Sequence, residues 1–118
     1  MHELSIAQSI IATVLHEMKN RQLPSVKKIV VRIGELSGVF PDALQFGYEA
    51  IVPDTPLRNT TLEIQKIPLR GKCNDCSKEF DIADYVFVCP ACHSVHVDVV
   101  NGYEMDIAYL EVEESSVS

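Results

Sequence analysis

Four cysteines fall in two pairs, Cys73-x-x-Cys76 and Cys89-x-x-Cys92, with twelve residues between them. Each pair can close a tight turn, and two such turns bring four thiolates around one ion. Sulfur ligation of this kind, at about 2.3 Å per bond, is the chemistry of a closed structural zinc site. Harder ions would want oxygen, and an iron–sulfur centre is less usual at this paired spacing in a short segment. A catalytic zinc would keep one position open, and here all four are filled. A lone Cys-x-x-Cys can run thiol–disulfide chemistry, but two facing pairs with no helix pattern behind them suit a metal better. His93 and His96 read first as surface residues, His93 being the auxiliary zinc-site residue if a thiolate is displaced.

A second set of donors stands at the start of the chain, in Met1-His2-Glu3. Chemistry alone favours an ordinary chain start. The same residues can nevertheless chelate: a free α-amine, the His2 backbone nitrogen and the His2 imidazole close two fused rings around one ion. An all-nitrogen set of this kind suits square-planar or tetragonal Ni(II) or Cu(II), not tetrahedral zinc. Any residue added before Met1 would turn the amine into an amide and remove a donor.

The elements that must carry these groups are readable in outline. Leu4, Ala7, Ile11, Val14, Leu15 and Met18 recur at helical spacing and predict an amphipathic helix ending near Asn20. Ser5 and Gln8 fit a capping box, which would leave Met1 to Glu3 projecting ahead of the helix. Alternation over Val26 to Ile33 predicts a strand. Pro41, Leu44, Tyr48 and Ile51 predict a second helix closed by Pro53 and Pro56, and Thr61 to Ile67 a second strand. Composition changes at Pro68 to Lys72. The stretch from Cys73 to Cys92 has little aliphatic bulk and cannot fold unaided at that size, so it needs a staple. Val95, Val97 and Val99 alternate up to Asn101-Gly102, a hairpin signal, and Tyr103, Met105, Ile107 and Tyr109 alternate beyond it, in a strand expected to rejoin the first sheet. Glu111, Glu113, Glu114 and the serines after them read as a solvated tail.

Composition narrows the function. The chain of 118 residues suits one domain, or one domain with a small insert, and 47% hydrophobic with 23% charged residues is globular. Seventeen acidic against ten basic residues give a net charge of −7, which argues against a partner held through phosphates. The cysteine-bearing stretch adds to this, two lysines standing against five carboxylates between Lys72 and Asp98. No apolar run reaches the roughly 18 residues of a membrane span, and the start lacks a secretory pattern, so the chain is expected to be cytoplasmic. Disulfides are rare there, which again leaves metal for the cysteines. Neither a serine–histidine–acid arrangement nor a glycine-rich phosphate loop is present, so no catalysis is expected. An exposed edge strand would permit a monomer or a weak homodimer.

Met1-His2-Glu3 at one end, with Cys73-x-x-Cys76 and Cys89-Pro90-x-Cys92-His93-Ser94 near the other, resembles the HypA/HybF family of nickel metallochaperones for [NiFe]-hydrogenase maturation. Either motif alone is weak; together, over essentially the whole chain, they are specific. The resemblance implies an α+β molecule: a nickel-binding domain, residues 1–69 plus 101–118, with two helices on an antiparallel sheet, and an inserted zinc-ribbon-like domain, residues 70–100, entered through a two-segment hinge. It implies nickel at Met1, His2 and Glu3, with Glu3 more a positioning residue than a side-chain ligand, and zinc at Cys73, Cys76, Cys89 and Cys92. It further implies a non-enzyme that cooperates with the HypB GTPase, hands Ni(II) to the hydrogenase large-subunit precursor and in some members serves urease maturation proteins. A zinc-ribbon adaptor with no second metal is the alternative.

Overall fold

The computed structural model describes residues 2–112. Met1 and residues 113–118, which include one expected nickel donor and the end of the expected tail, lie outside that range. Helix α1 (His2–Arg21) is followed by β1 (Val26–Gly34), α2 (Pro41–Ile51), a 3-10 turn at Val52–Asp54 and β2 (Thr61–Ile67). Then come β3 (Arg70–Cys73), β4 (Glu79–Asp81), β5 (Val97–Asn101) and β6 (Met105–Val112).

The strands form two three-stranded sheets, β2-β1-β6 and β4-β3-β5. In the first, β1 is central. Ile29, Val31 and Ile33 point from one face into a core shared with Ala7, Ile10, Ile11 and Val14 of α1 and with Leu44 and Tyr48 of α2, so both helices cover that face. The helices come close where α2 carries Gly47, whose missing Cβ would stand 3.6 Å from Leu4 Cα. The other face is laced by cross-strand ion pairs: Lys28 with Glu63 of β2 at 3.1 Å, and Arg32 with Asp106 of β6 through two bonds of 2.8 and 2.6 Å. Such exposed pairs are screened by solvent and help fix register more than stability.

Three expectations need correction. The first sheet is mixed: β6 runs antiparallel to β1, but β2 runs parallel to it, Ile29 opposite Leu62 and Val31 opposite Ile64. The cause is α2, a crossover helix that returns the chain to the starting end of β1. Asn101-Gly102 is not a hairpin turn, because β5 pairs with β3 and β6 with β1. Gly102, at φ 131°, instead lets the chain cross between sheets. Along β6 the strict alternation also fails, since a register shift opposite Val30 and Val31 leaves Ile107 and Leu110, three apart, packed on the core.

The second sheet carries its own small core of Leu69, Cys73, Phe80, Ile82 and Cys89, against which Leu36, Val97 and Val99 pack. Leu36 belongs to the loop after β1, and that loop fastens the two sheets together. Its Glu35 N–H donates to Ile67 O at 3.2 Å and its Leu36 N–H to Gly102 O at 2.7 Å, while Gly34 N–H donates to Glu104 O at 2.8 Å. The crossing is tight enough that a Cβ on Gly34 would lie 2.1 Å from Gly102 O. Gly34→Ala is therefore expected to cost about 1–3 kcal/mol in urea unfolding, the range for overpacking. Unchanged stability would mean that the two segments separate freely.

Candidate metal centre

The two cysteine turns are built alike. In the first, Cys73 N–H donates to Lys78 O and Ser77 N–H to Cys73 O; in the second, Cys89 N–H donates to Ser94 O and His93 N–H to Cys89 O, all four bonds at 2.9 Å. The residue after the second cysteine of each turn takes a left-handed backbone, Ser77 at φ 67° and His93 at φ 64°. Each turn thus doubles back on itself and aims both of its sulfurs the same way. The Asp75 N–H, at 3.4 Å, points at Cys73 Sγ.

The turns face each other. Cys73 Sγ lies 3.5 Å from Cys92 Sγ and Cys76 Sγ 3.5 Å from Cys89 Sγ, and all four sulfurs fall within 4.8 Å of one another. Tetrahedral sulfurs about 2.3 Å from a common ion are separated by about 3.8 Å. The residues therefore fit a four-sulfur metal site, with Cys73 and Cys89 buried and Cys76 and Cys92 facing out. A strand and a core hold the buried pair: Cys73 ends β3, Cys89 lies in the loop between β4 and β5, and both sit among Leu69, Phe80 and Ile82.

Electrostatics divides the thiols. Backbone N–H donation from Cys92, outweighing burial, draws Cys89 down to about 6. Burial opposes ionisation of Cys73, but N–H groups of Cys76 and Asp75 and neighbouring thiols bring it below its usual range. The Ser94 N–H pulls Cys92 down, yet pairing with Cys73, burial and the other thiols push it up to about 12. Four groups this close titrate as one unit, and a divalent cation that takes all four must displace the protons that remain.

His93 is exposed and is not among the residues converging on this centre; its left-handed position explains its place in the turn. His96 is exposed too, with Nδ1 3.3 Å from Asp75 Oδ2. The Ser94 hydroxyl, and after it His96, hold the Asp75 carboxyl below its ordinary range. Sequence reasoning counted Asp75 only as one of the carboxylates of this stretch and Ser94 only as part of the motif, and gave neither a role. Their signal was position alone, one inside the first turn and one just past the second.

At the other end of the chain, α1 has started by His2, four residues before the Ile6 start that a Ser5 cap implied. His2 and Glu3 therefore sit in its first turn instead of projecting ahead of it. Glu3 supplies the favourable acidic charge there, and its carboxylate accepts a 3.3 Å bond from the N–H of Phe40, the residue that caps α2. That bond, before any charge effect, lowers the Glu3 pKa. His2 is exposed and lines an open cavity of about 380 Å³ between α1 and β6, beside Ser5, Ile6, Met105 and Asp106. First-turn N–H groups have no carbonyl acceptor within a helix, so the His2 N–H is unclaimed by the α1 backbone, while the Glu3 N–H bonds its own carboxylate and adds to the lowering of that group's pKa.

Among the described residues, no helix is long and apolar enough to cross a membrane. Residues 1–112 match the family described as hydrogenase/urease nickel incorporation, metallochaperone, hypA. A HypA hydrogenase maturation factor from Trichodesmium erythraeum is 41% identical over 117 residues, covering 99% of this chain and all of the relative. One from Geobacter metallireducens is 42% identical over 113 residues, covering 96% and 100%. Among solved structures, a HypA protein in solution superposes with a TM-score of 0.69 at 31% identity, covering 96% of this chain and 97% of that one. The Ni metallochaperone HypA from Helicobacter pylori gives 0.63 at 29%, covering 93% and 96%. With its length, both cysteine turns and the Met-His-Glu start falling within these matches, the chain belongs to the HypA family of hydrogenase maturation metallochaperones.

Proposed function

We propose that this protein takes up Ni(II) at Met1, His2 and Glu3 and delivers it to the [NiFe]-hydrogenase large-subunit precursor, while Cys73, Cys76, Cys89 and Cys92 retain a structural Zn(II). The observation that carries the reading is His2 in the first turn of α1, exposed at a helix start where no backbone carbonyl claims its N–H. Met1 supplies the amine and Glu3 a backbone nitrogen. The Glu3 side chain is engaged with Phe40 and serves to position the turn. Residues 1–69 plus 101–118 form the nickel domain and residues 70–100 the zinc domain. The protein works in the cytoplasm as a monomer or weak homodimer and performs no catalysis. Its partners are the HypB GTPase and the hydrogenase precursor, with urease maturation proteins as further recipients. His93 enters the zinc site only when a thiolate is displaced.

The two ends suit opposite tasks. Nitrogen donors at a chain terminus regain protons and let go, whereas a filled sulfur cage resists release. The positive end of the α1 dipole adds to the first effect, disfavouring a bound cation by about 0.3–1 kcal/mol. Zinc, when bound, supplies the cross-link between the two cysteine turns and no chemistry.

Untagged protein titrated calorimetrically with Ni(II) should show one stoichiometric site. That site should vanish in His2→Ala and in protein carrying a short N-terminal extension, with zinc content unchanged in both. Equal nickel binding by the extended protein would refute the terminal chelate, and no nickel binding by any form would leave a zinc-bearing adaptor. The role given to Glu3 separates two substitutions. Glu3→Ala should weaken nickel binding roughly 10-fold, the scale for loss of a supporting hydrogen bond, and speed exchange of the Phe40 amide. Glu3→Gln keeps an acceptor and should stay close to the parent; if it loses as much as Glu3→Ala, the carboxylate is itself a ligand.

A further inference from the structure

The two cysteine turns belong to segments twelve residues apart, and the connection between them includes exposed Tyr85 and Val86, which pack on little. A polar strap joins the turns independently of the sulfurs. Asp75, inside the first turn, sends its carboxylate across to the exit of the second. There the Ser94 hydroxyl donates to Asp75 Oδ2, and His96 Nδ1 stands 3.3 Å from the same oxygen. The receiving segment is itself pinned. His96 N–H donates to Ser94 Oγ at 3.0 Å, Cys89 N–H to Ser94 O at 2.9 Å, and Asn74 N–H to His96 O at 2.8 Å. Asn74 and Asp75 of one turn are thereby bonded to Ser94 and His96 beside the other, on the side of the cage that faces solvent.

We propose that Asp75, held by Ser94 and His96, is a positioning residue that keeps the two cysteine turns in register and slows escape of the ion from the sulfur cage. The inference rests on the zinc reading of that cage. An ion held by two sulfurs from each turn leaves stepwise, and one turn must swing away before the remaining pair lets go. The strap opposes that swing without touching the ion, as hydrogen-bonded partners of metal ligands do elsewhere. Asp75, Ser94 and His96 are not ligands in this arrangement, and the four sulfurs converge without them.

The test is the rate at which zinc-loaded, full-length protein gives its ion to an excess of the chromogenic chelator 4-(2-pyridylazo)resorcinol. Asp75→Ala and Ser94→Ala should each speed transfer roughly 10-fold, the lower end of the effect of losing such a partner. The double variant should be no faster than the faster single variant, because both changes cut one strap. Asp75→Asn, which retains an acceptor oxygen, should stay nearer the parent than Asp75→Ala. Glu79→Ala, which removes a carboxylate on β4 that has no part in the strap, should leave the rate unchanged. Parent-like rates in both alanine variants would overturn the proposal. So would rates that multiply in the double variant, or an equal acceleration by Glu79→Ala. If Asp75→Ala does not fold, Ser94→Ala decides the matter alone. Parent protein that never retains zinc would instead overturn the reading of the cage.

Discussion

Four sulfurs within 4.8 Å of one another are the constraint on which the second half of this molecule depends. Thiols packed that closely cannot all ionise against their mutual repulsion, and their hydrogen bonds divide them: backbone N–H donation draws Cys89 down, while pairing with the other thiols and burial push Cys92 up. The hydrophobic support around them is thin. Apart from Cys73 and Cys89, the buried core there consists of Leu69, Phe80 and Ile82. So small a core supplies little of the stability of β3, β4 and β5, and the structural ion proposed for the four cysteines would supply the rest by binding the folded form more tightly than the unfolded one. The tight passage of Gly34 against Gly102, with Leu36 reaching into that core, then ties the staple to the larger sheet.

The first half of the molecule is organised the other way. Its core is large, and α1 is fixed to the sheet through Ala7, Ile10, Ile11 and Val14. The helix start is left accessible. The Glu3 to Phe40 bond joins the beginnings of α1 and α2, so the first turn is held in place while His2 remains exposed. A transferable ion calls for that combination: a rigid support, so that little ordering is needed on binding, and no burial of the donors, so that a recipient can reach them. The sulfur cluster has the reverse design, with two of its cysteines inside the core.

Much of this was legible in the residues. The cysteine spacing announced the sulfur cluster because a Cys-x-x-Cys turn is a local structure, set by a few backbone bonds. Strand β2 was bounded correctly by Thr61 and Ile67, where β-favouring residues meet Pro68. What escaped was set by distant partners. Nothing in Thr61–Ile67 says that its neighbour runs parallel; α2 decides that. Ser5 looked like a cap because the true beginning of α1 is stabilised by Phe40, 37 residues beyond Glu3. Asn101-Gly102 carried the composition of a hairpin, but the glycine serves the close contact with Leu69 and Gly34. At the candidate metal centre the convergence of the four cysteines was legible, and the Asp75, Ser94 and His96 strap was not, because it exists only once two turns from different segments lie side by side.

The central claim is an asymmetry: one ion given away from nitrogen, another kept by sulfur. Protein loaded with one equivalent each of Ni(II) and Zn(II), mixed with an excess of a general chelator and sampled over time for both metals, tests it most directly. Nickel is expected to leave while zinc stays with the protein throughout. Loss of both metals at the same rate, or of zinc before nickel, would contradict the account.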